Sequence, residues 1–395
     1  MLVDRLHEEK DGLKCEMTVS TSIAPVAGQL REGNFNLSST TTRTQWQKSL
    51  AERLDIDWYA ILEQVCTLTR KRWREGEPVV DLATVAPRAG VPFLLPPFVV
   101  EGAASILFAE GGTGKSMLAL AMAVSVATSE PILNVYPTRA GPVLYLDWEW
   151  DAESHAERLR AICRGAGIDL PKGMIHYRHE MASVWEAASN IRRQVAEKQC
   201  VMVVIDSLGF ARGGEPESAD LTLKTFAALR TLGVPVLVLD HVAKNATDKK
   251  FSFGSIYTTN AARITWRADA VKEEGKNKII IGLSNQKANG RFQKPLGFTM
   301  QMDIDDDDKL IEVHFTPTDP GDVPGLTKSL ALRDQIGNVL KASMYPMAPA
   351  GIATALAAEG SNVSTDVIRT ILHRNADRFI KVDDKWAMRS QRVEA

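Results

Sequence analysis

A glycine-rich stretch at residues 109–116 carries the residue types that bind phosphate groups. Its sequence, Ala-Glu-Gly-Gly-Thr-Gly-Lys-Ser, fits the spacing of a Walker A loop with alanine in the first position. Small residues let backbone N–H groups approach a triphosphate, Lys115 adds positive charge, and the Ser116 hydroxyl can ligate Mg²⁺. An apolar run precedes the loop and an apolar helical pattern follows it. The stretch therefore predicts a nucleotide site formed by Glu110, Gly111, Gly112, Thr113, Gly114, Lys115, Ser116 and Met117.

The apolar residues at 201–205 end in an aspartate that could hold a metal ion. Such a run is typical of a strand buried on both faces of a parallel sheet. Asp206 then lies at the carboxyl end of the strand, where a Walker B carboxylate holds Mg²⁺. The sequence therefore predicts a metal site formed by Ser116 and Asp206.

A second apolar run, at 143–146, leads to the carboxylate best placed for hydrolysis. Glu149 follows this run, and a glutamate just beyond a strand can deprotonate the water that attacks the γ-phosphate. Ser207 stands directly after the Walker B aspartate, where the AAA+ pattern would supply a glutamate instead. We predict Glu149 as the base, with Asp147 and Asp151 as alternatives.

Apolar runs alternate with helical patterns between residues 98 and 317, which predicts an α/β fold with a mainly parallel sheet. The predicted strands are 105–109, 143–147, 201–206, 236–240 and 279–284. Residues 298–304 and 310–315 flank the acidic run 305–308, and they predict a closing hairpin with a solvated turn.

The flanking regions have a different character. Residues 1–45 are rich in small polar residues and are expected to be flexible, whereas 46–97 read as a helical segment and a proline-rich linker. The ATPase core spans 98–318. Residues 328–390, with three helical patterns and two short strands, resemble a winged-helix domain. Its third helix offers Arg369 and Arg374 to DNA, although such domains also dock proteins.

The core resembles the RecA-like ATPases, and among them the RepA-type branch, which is similar to the hexameric helicases. The resemblance covers about residues 98–317. It is carried by Leu-Tyr-Leu-Asp-Trp-Glu at 144–149, by the position of His241 and by residues 287–298. One departure is Asp240, which stands where the RepA-like pattern often has a second histidine. The resemblance implies a RecA-like fold, ATP hydrolysis with Mg²⁺, and self-association into a hexameric ring or a filament.

The resemblance also implies roles outside the phosphate-binding loop. His241 takes the position of a γ-phosphate sensor, although a histidine that caps a strand end gives the same pattern. Residues 243–255 mix lysines with aromatic rings, which suits single-stranded DNA, and RecA-like proteins carry a DNA-binding loop there. Arg212 falls where their other DNA loop lies. The DNA contacts predicted here are Arg212, Lys244, Lys249, Lys250, Phe251 and Phe253.

A ring or filament implies that a cation from the neighbouring subunit completes each nucleotide site. Residues 287–291 offer Lys287 and Arg291 for that role. An exposed hairpin turn around Asn289 and Gly290 is an equally good interpretation of the same stretch.

The overall charge restricts where nucleic acid could bind. The 395 residues include 47 Lys and Arg against 49 Asp and Glu, a formal net charge of −2, so any DNA-binding surface must be local. Four widely spaced cysteines show no metal-ligand spacing, and no apolar stretch is long enough to span a bilayer. We expect a cytoplasmic protein with reduced thiols.

These residues together predict an ATP-hydrolysing motor that acts on single-stranded DNA, as a replicative helicase or translocase. A strand-exchange or annealing recombinase would use the same chemistry. A nucleotide-switched DNA-binding regulator is the alternative from a different class, and a pure switch has no need of Glu149.

Overall fold

The computed structural model describes residues 1–389 apart from 24, 77, 88–89, 216, 243–255, 273–276, 291, 324–325, 327–329 and 344. The chain divides into two compact units, residues 1–89 and 90–395. Each unit has its own hydrophobic core.

A three-stranded antiparallel sheet forms the first part of the N-terminal unit. Its strands, in spatial order, are β1 (Leu2–Glu9), β2 (Gly12–Thr21) and β3 (Gly28–Asn36). The expectation that residues 1–45 are flexible is therefore wrong. Composition hid the alternation along β2, where every second side chain is apolar and buried, as in a half-buried strand. These buried side chains are Leu13, Cys15, Met17 and Val19.

Two helices complete this unit where the sequence pattern suggested one helical segment. They are α1 (Thr40–Ala51) and α2 (Trp58–Glu75). Ser39 and Asp57 cap their N-termini by accepting hydrogen bonds from backbone N–H groups three residues on. Trp46 packs edge-on against Phe35, with ring centroids 5.2 Å apart, and so joins α1 to the sheet.

A nine-stranded mixed sheet forms the centre of the second unit. A short pair, β4 (Phe93–Leu95) and β5 (Val99–Val100), precedes it. The strands of the nine-stranded sheet are β6 (Ala104–Ala109), β7 (Val143–Asp147), β8 (Ile175–His179), β9 (Met202–Asp206), β10 (Val236–His241), β11 (Ile264–Lys272), β12 (Lys278–Ala288), β13 (Leu296–Ile304) and β14 (Leu310–Thr318). The spatial order is β14-β13-β12-β11-β6-β10-β9-β7-β8. The pairs from β11 to β8 are parallel, and those from β11 to β14 are antiparallel.

Helices cover both faces of this sheet. They are α3 (Lys115–Thr128), α4 (Ala152–Gly165), α5 (Val184–Glu197), α6 (Leu208–Ala211), α7 (Ala219–Thr231) and α8 (Ile256–Ala261). Apolar residues of α3 and α4 share one core with alternate strand residues, and those of α5 and α7 share the core on the opposite face. The predicted α/β fold with a mainly parallel sheet is confirmed.

Strands β8 and β11 were not predicted, because neither is a continuous apolar run. Strand β8 is a partly exposed edge strand with two histidines and an arginine, and β11 alternates buried residues with Arg267 and Asp269. The hairpin of β13 and β14 was predicted and is present. In its acidic turn, the Asp305 Oδ1 accepts hydrogen bonds from the backbone N–H groups of Asp307 and Lys309, so the Asp305 side chain holds the turn.

The last part of the second unit contains three helices and a two-stranded hairpin. These are α9 (Leu332–Ala342), α10 (Pro349–Ala358), α11 (Thr365–Arg374), β15 (Phe379–Val382) and β16 (Lys385–Met388). They enclose a small core of their own. Helix α11 ends at Arg374 rather than at Arg378, and the Arg378 guanidinium pairs with Asp334 at 2.5 Å. The winged-helix interpretation of this order remains a prediction.

All four cysteines are buried and unpaired. Within the described ranges, no helix combines the length and the apolar character needed to cross a membrane.

Candidate nucleotide-binding and hydrolysis site

The phosphate-binding loop joins the end of β6 to the start of α3. Gly112 and Gly114 have φ angles of +74° and +90°, a left-handed conformation that glycine adopts without a steric penalty. Lys115 donates from its Nζ to the carbonyl oxygens of Ala109 and Glu110, each at 3.0 Å. The ammonium group is therefore held across the loop, at the N-terminus of a buried helix where anions bind.

The charge on Lys115 is supported by nearby acids. Burial lowers the pKa of this lysine, and the carboxylates of Asp206, Glu149 and Asp240 oppose that shift. A phosphate group entering the loop would offer the ammonium a better partner than a carbonyl oxygen, because a phosphate oxygen carries a full negative charge whereas a carbonyl oxygen carries a partial one.

Asp206 lies at the end of β9 with only 6% of its surface exposed. Its Oδ2 accepts a hydrogen bond of 2.7 Å from the Tyr145 hydroxyl. Burial raises the pKa of this carboxyl, and hydrogen bonds from Ser116 and Tyr145 partly offset the rise. A serine hydroxyl hydrogen-bonded to a buried carboxylate is a hard oxygen donor set that fits Mg²⁺. Ser116 and Asp206 are therefore the residues that would hold the metal ion.

Glu149 lies two residues beyond β7 and retains an exposed side-chain fraction of 28%. Its Oε1 accepts a hydrogen bond from the Ser207 hydroxyl and lies 3.6 Å from the His241 Nε2. The nearby His241 imidazole is the main reason that the pKa of Glu149 is lowered, and the hydrogen bond from Ser207 adds to this effect against that of burial. The group is thus an ionised carboxylate that can accept a proton.

The two alternative bases are engaged elsewhere. Asp147 is fully buried, and its Oδ1 accepts from the backbone N–H of Glu149 at 2.7 Å and of Trp150 at 3.3 Å. Asp151 caps α4 by accepting from the Ser154 N–H at 2.7 Å. Of these three carboxylates, Glu149 is the one that lies near Lys115 and accepts no hydrogen bond from the backbone in the contacts described above.

A histidine that the sequence reasoning missed supports this arrangement. His155, one turn into α4, pairs its Nε2 with the Asp147 Oδ2 at 2.5 Å, and both side chains are buried. Its ring also packs on Tyr145, with centroids 4.7 Å apart. Burial alone would raise the pKa of Asp147, but hydrogen bonds from His155 and two backbone amides lower it. His155 therefore contacts the residues that position both the base and the metal-binding aspartate.

His241 is brought to the loop by strand pairing. It ends β10 directly opposite Ala109 of β6, and the following N–H, of Val242, donates to the Ala109 carbonyl at 3.2 Å. This places the imidazole beside Glu149, where a γ-phosphate sensor would be useful. The predicted DNA contacts Lys244, Lys249, Lys250, Phe251 and Phe253 lie outside the described residues.

Lys287 lies towards the amino ends of the parallel strands. It pairs with Thr265 of β11, which in turn pairs with Ile106 of β6. Ile106 lies three residues before the loop begins, so Lys287 is set back from the loop by about 10 Å along the strand direction, at ~3.3 Å per residue. Its Nζ donates to three backbone oxygens at the end of α8, each at 2.8 Å. Lys287 therefore does not complete the site of its own chain. Arg291 lies outside the described residues, and the neighbour-cation role of both stays a prediction.

One predicted DNA contact is wrong. Arg212 is 1% exposed, and its guanidinium donates to the Thr258 hydroxyl at 3.3 Å. A side chain buried between the α6 and α8 segments cannot follow a DNA backbone. The glycines after it in the sequence suggested an exposed loop, but the arginine itself points inward.

The two arginines predicted on α11 are exposed, as a DNA contact requires. Arg369 pairs with Asp366 at 2.9 Å on the helix surface, and Arg374 lies in the last turn. Their role with DNA stays a prediction.

Two comparisons with known proteins found similarity to part of this chain. Residues 74–247 match a family model described as an AAA domain, a span that includes the loop, Glu149, Asp206 and His241. The crystal structure of a KaiC-like protein from the hyperthermophilic archaeon Pyrococcus horikoshii is similar over 59% of this chain and 99% of that chain, with 18% identity and a TM-score of 0.40. The family match over part of the chain and the mainly parallel sheet around the loop support a P-loop ATPase core.

Proposed function

We propose that this protein is an ATP-driven motor of the RepA type that moves on or remodels single-stranded DNA. The observation that carries the proposal is the group at the carboxyl ends of neighbouring parallel strands. Glu149 lies 3.6 Å from His241, and the strands on either side of β10 are β6, which leads to the loop with Lys115, and β9, which ends at Asp206. A base beside a sensor suits a protein that turns ATP over rather than one that only binds it.

The hydrolysis step follows from these contacts. Glu149, ionised because of its lowered pKa, takes a proton from the water as the water oxygen attacks the γ-phosphorus. The bond to the bridging oxygen then breaks, giving ADP and phosphate. Lys115 stays with the phosphate oxygens throughout. Bound Mg²⁺ would neutralise phosphate charge at Ser116 and Asp206.

The sensor lies next to the segment with the DNA-binding composition. Val242 is the last described residue before 243–255, and its backbone is tied to Ala109 at the start of the loop. A change at His241 when phosphate leaves would be passed directly to the following residues. This continuity supports coupling between ATP state and DNA contact.

Self-association into a ring or filament belongs to the same proposal. Because the Lys287 ammonium is bound to the end of α8 of its own chain, Arg291 is the residue of this stretch that we propose to act on the neighbouring subunit. Arg291→Ala should abolish ATP turnover and spare ATP binding. Mixed with Lys115→Ala, it should regain turnover at those interfaces where an intact loop meets an intact Arg291. If mixtures stay as inactive as the separate variants, the shared site is wrong.

The decisive experiment measures ATP turnover with and without single-stranded DNA, with Glu149→Gln as the inactive control. Strong stimulation of the unmodified protein, together with unwinding of a forked duplex, is the expected result. Filaments on single strands without fork unwinding would favour a recombinase. A slow rate that DNA does not change would favour a nucleotide-switched regulator and contradict the motor.

A further inference from the structure

The last residue of β11 lies over the phosphate-binding loop. A Cβ atom built on Gly112 would lie 3.2 Å from the Lys272 Nζ and 4.0 Å from its Cε. Lys272 was not among the residues that the sequence patterns assigned to the nucleotide. A side chain at position 112 would therefore press against the Lys272 ammonium group.

The sheet brings Lys272 to this position. Ala268 pairs with Ala109, the first residue of the loop, and Lys272 lies four residues further along β11. Directly opposite Lys272 is Ile279, and opposite Ile279 is Met300. Both of these belong to the core that contains α3, so the row lies on the face of the sheet that carries the loop. The Met300 methyl likewise lies 3.2 Å from a Cβ built on Gly114.

The electrostatic surroundings favour an anion at this point. The N-terminus of α3 carries partial positive charge, and Lys115 places a full charge at its first residue. A second ammonium beside the same loop is repelled by both. Phosphate oxygens between the two lysines turn that repulsion into attraction, since each cation then faces a negative charge.

We infer that Lys272 is a second phosphate-binding lysine, which contacts the β- and γ-phosphates together with Lys115. This inference rests on the proposed use of ATP. It adds a cation from the same chain, distinct from the one that a neighbouring subunit would supply. Its task is to hold the triphosphate in the loop before any neighbour arrives.

The first test is calorimetric titration of ATP into the full-length protein and into Lys272→Ala. The variant should bind ATP about tenfold more weakly or worse, as expected when one charge-assisted hydrogen bond is lost. Lys272→Arg should keep most of the affinity, because it keeps the charge. Lys309→Ala is the matched control: it removes an exposed lysine from the turn between β13 and β14 and should change nothing.

A second measurement needs no variant. Lysines of the unmodified protein are acetylated with and without ATP, and the extent at each is read by mass spectrometry. ATP should protect Lys272 and leave Lys309 unchanged. Equal labelling of Lys272 in both conditions, or equal ATP affinity of Lys272→Ala and the unmodified protein, overturns the inference while leaving the ATPase proposal standing. Failure of the unmodified protein to bind ATP overturns both.

Discussion

Lys115 and Lys287 both hold their ammonium groups against backbone carbonyls. Lys115 lies at the carboxyl ends of the parallel strands, and Lys287 lies towards their amino ends. Burial lowers the pKa of each. Their charged neighbours differ: Lys115 faces Asp206, Glu149 and Asp240, whereas Lys287 lies beside Arg263, which lowers its pKa further. The same contact with carbonyl oxygens therefore serves two roles. Lys115 is placed to bind an anion, and Lys287 caps the end of a helix.

The carbonyl partners show the same contrast. Those of Lys115 belong to a loop of small residues that can exchange them for phosphate, while those of Lys287 end α8 and have no intrahelical donor. We conclude that the contacts around Lys115 prepare it to bind phosphate, and that the described contacts of Lys287 stabilise the fold.

The largest expected effect comes from Lys115→Ala. ATP turnover should fall by about 10³-fold or more, since the variant loses the charge that holds the triphosphate. ATP binding, measured by titration, should become undetectable, while the melting temperature stays close to that of the unmodified protein. Normal turnover would show that the contrast between the two lysines is misread.

Glu149→Gln should leave ATP bound but lower turnover by about 10²- to 10⁴-fold, because an amide cannot take the proton from water. Single-turnover assays separate this loss from weak binding. Asp151→Asn, at the capping position of α4, serves as the control and should keep its activity. If Glu149→Gln turns ATP over as fast as Asp151→Asn, Glu149 is not the base.

His155→Ala should lower turnover without a matching loss of ATP affinity. It breaks a fully buried pair, which costs about 3 kcal/mol of unfolding free energy, and it releases the carboxylate that orients the Glu149 backbone. Misplacement of the base by about 1 Å can cost up to ~10²-fold in rate. Denaturant unfolding and the change in kcat against KM are the measurements. Lower stability with unchanged kcat would make His155 purely structural.

Lys287→Met tests the second lysine of the comparison. The removal of one donor from three carbonyls should lower stability by about 1–3 kcal/mol, while the ATP affinity of the dilute protein stays unchanged. Thermal unfolding and titration with ATP measure the two quantities on the same sample. If ATP affinity falls as far as in Lys115→Ala, the two lysines do not differ as described.

The smallest effect concerns pH. The pKa of Glu149 lies below its ordinary value of 4.5, mainly through His241, so the base stays ionised at neutral pH and is lost only as pH falls through that lowered pKa. His241→Asn removes the main cause and should move the acid limb of kcat/KM to higher pH. Circular dichroism at each pH controls for unfolding, and an unshifted limb would contradict the contact.

The parts of the site that follow one another in the chain were predictable. Residues 109–116 with the strand before and the helix after, Asp206 at the end of a buried run, and Glu149 beyond another were all recognised from sequence. Each depends on local geometry, because glycine spacing and an apolar run act within a few residues. The flexible N-terminal segment and the exposed Arg212 were wrong, since composition does not report which face of a strand or turn is buried.

The sequence by itself determined that a phosphate-binding loop exists and which carboxylates could serve it. Only the tertiary structure decided that His241 meets Glu149, that His155 supports Asp147, and that Lys272 overlies Gly112 while Lys287 faces away. Apart from the pair of His155 and Asp147, which lie eight residues apart, these contacts depend on elements distant in the chain. Their partners are set by the order and register of the sheet, and that order is fixed by burying both faces at once rather than by any local preference.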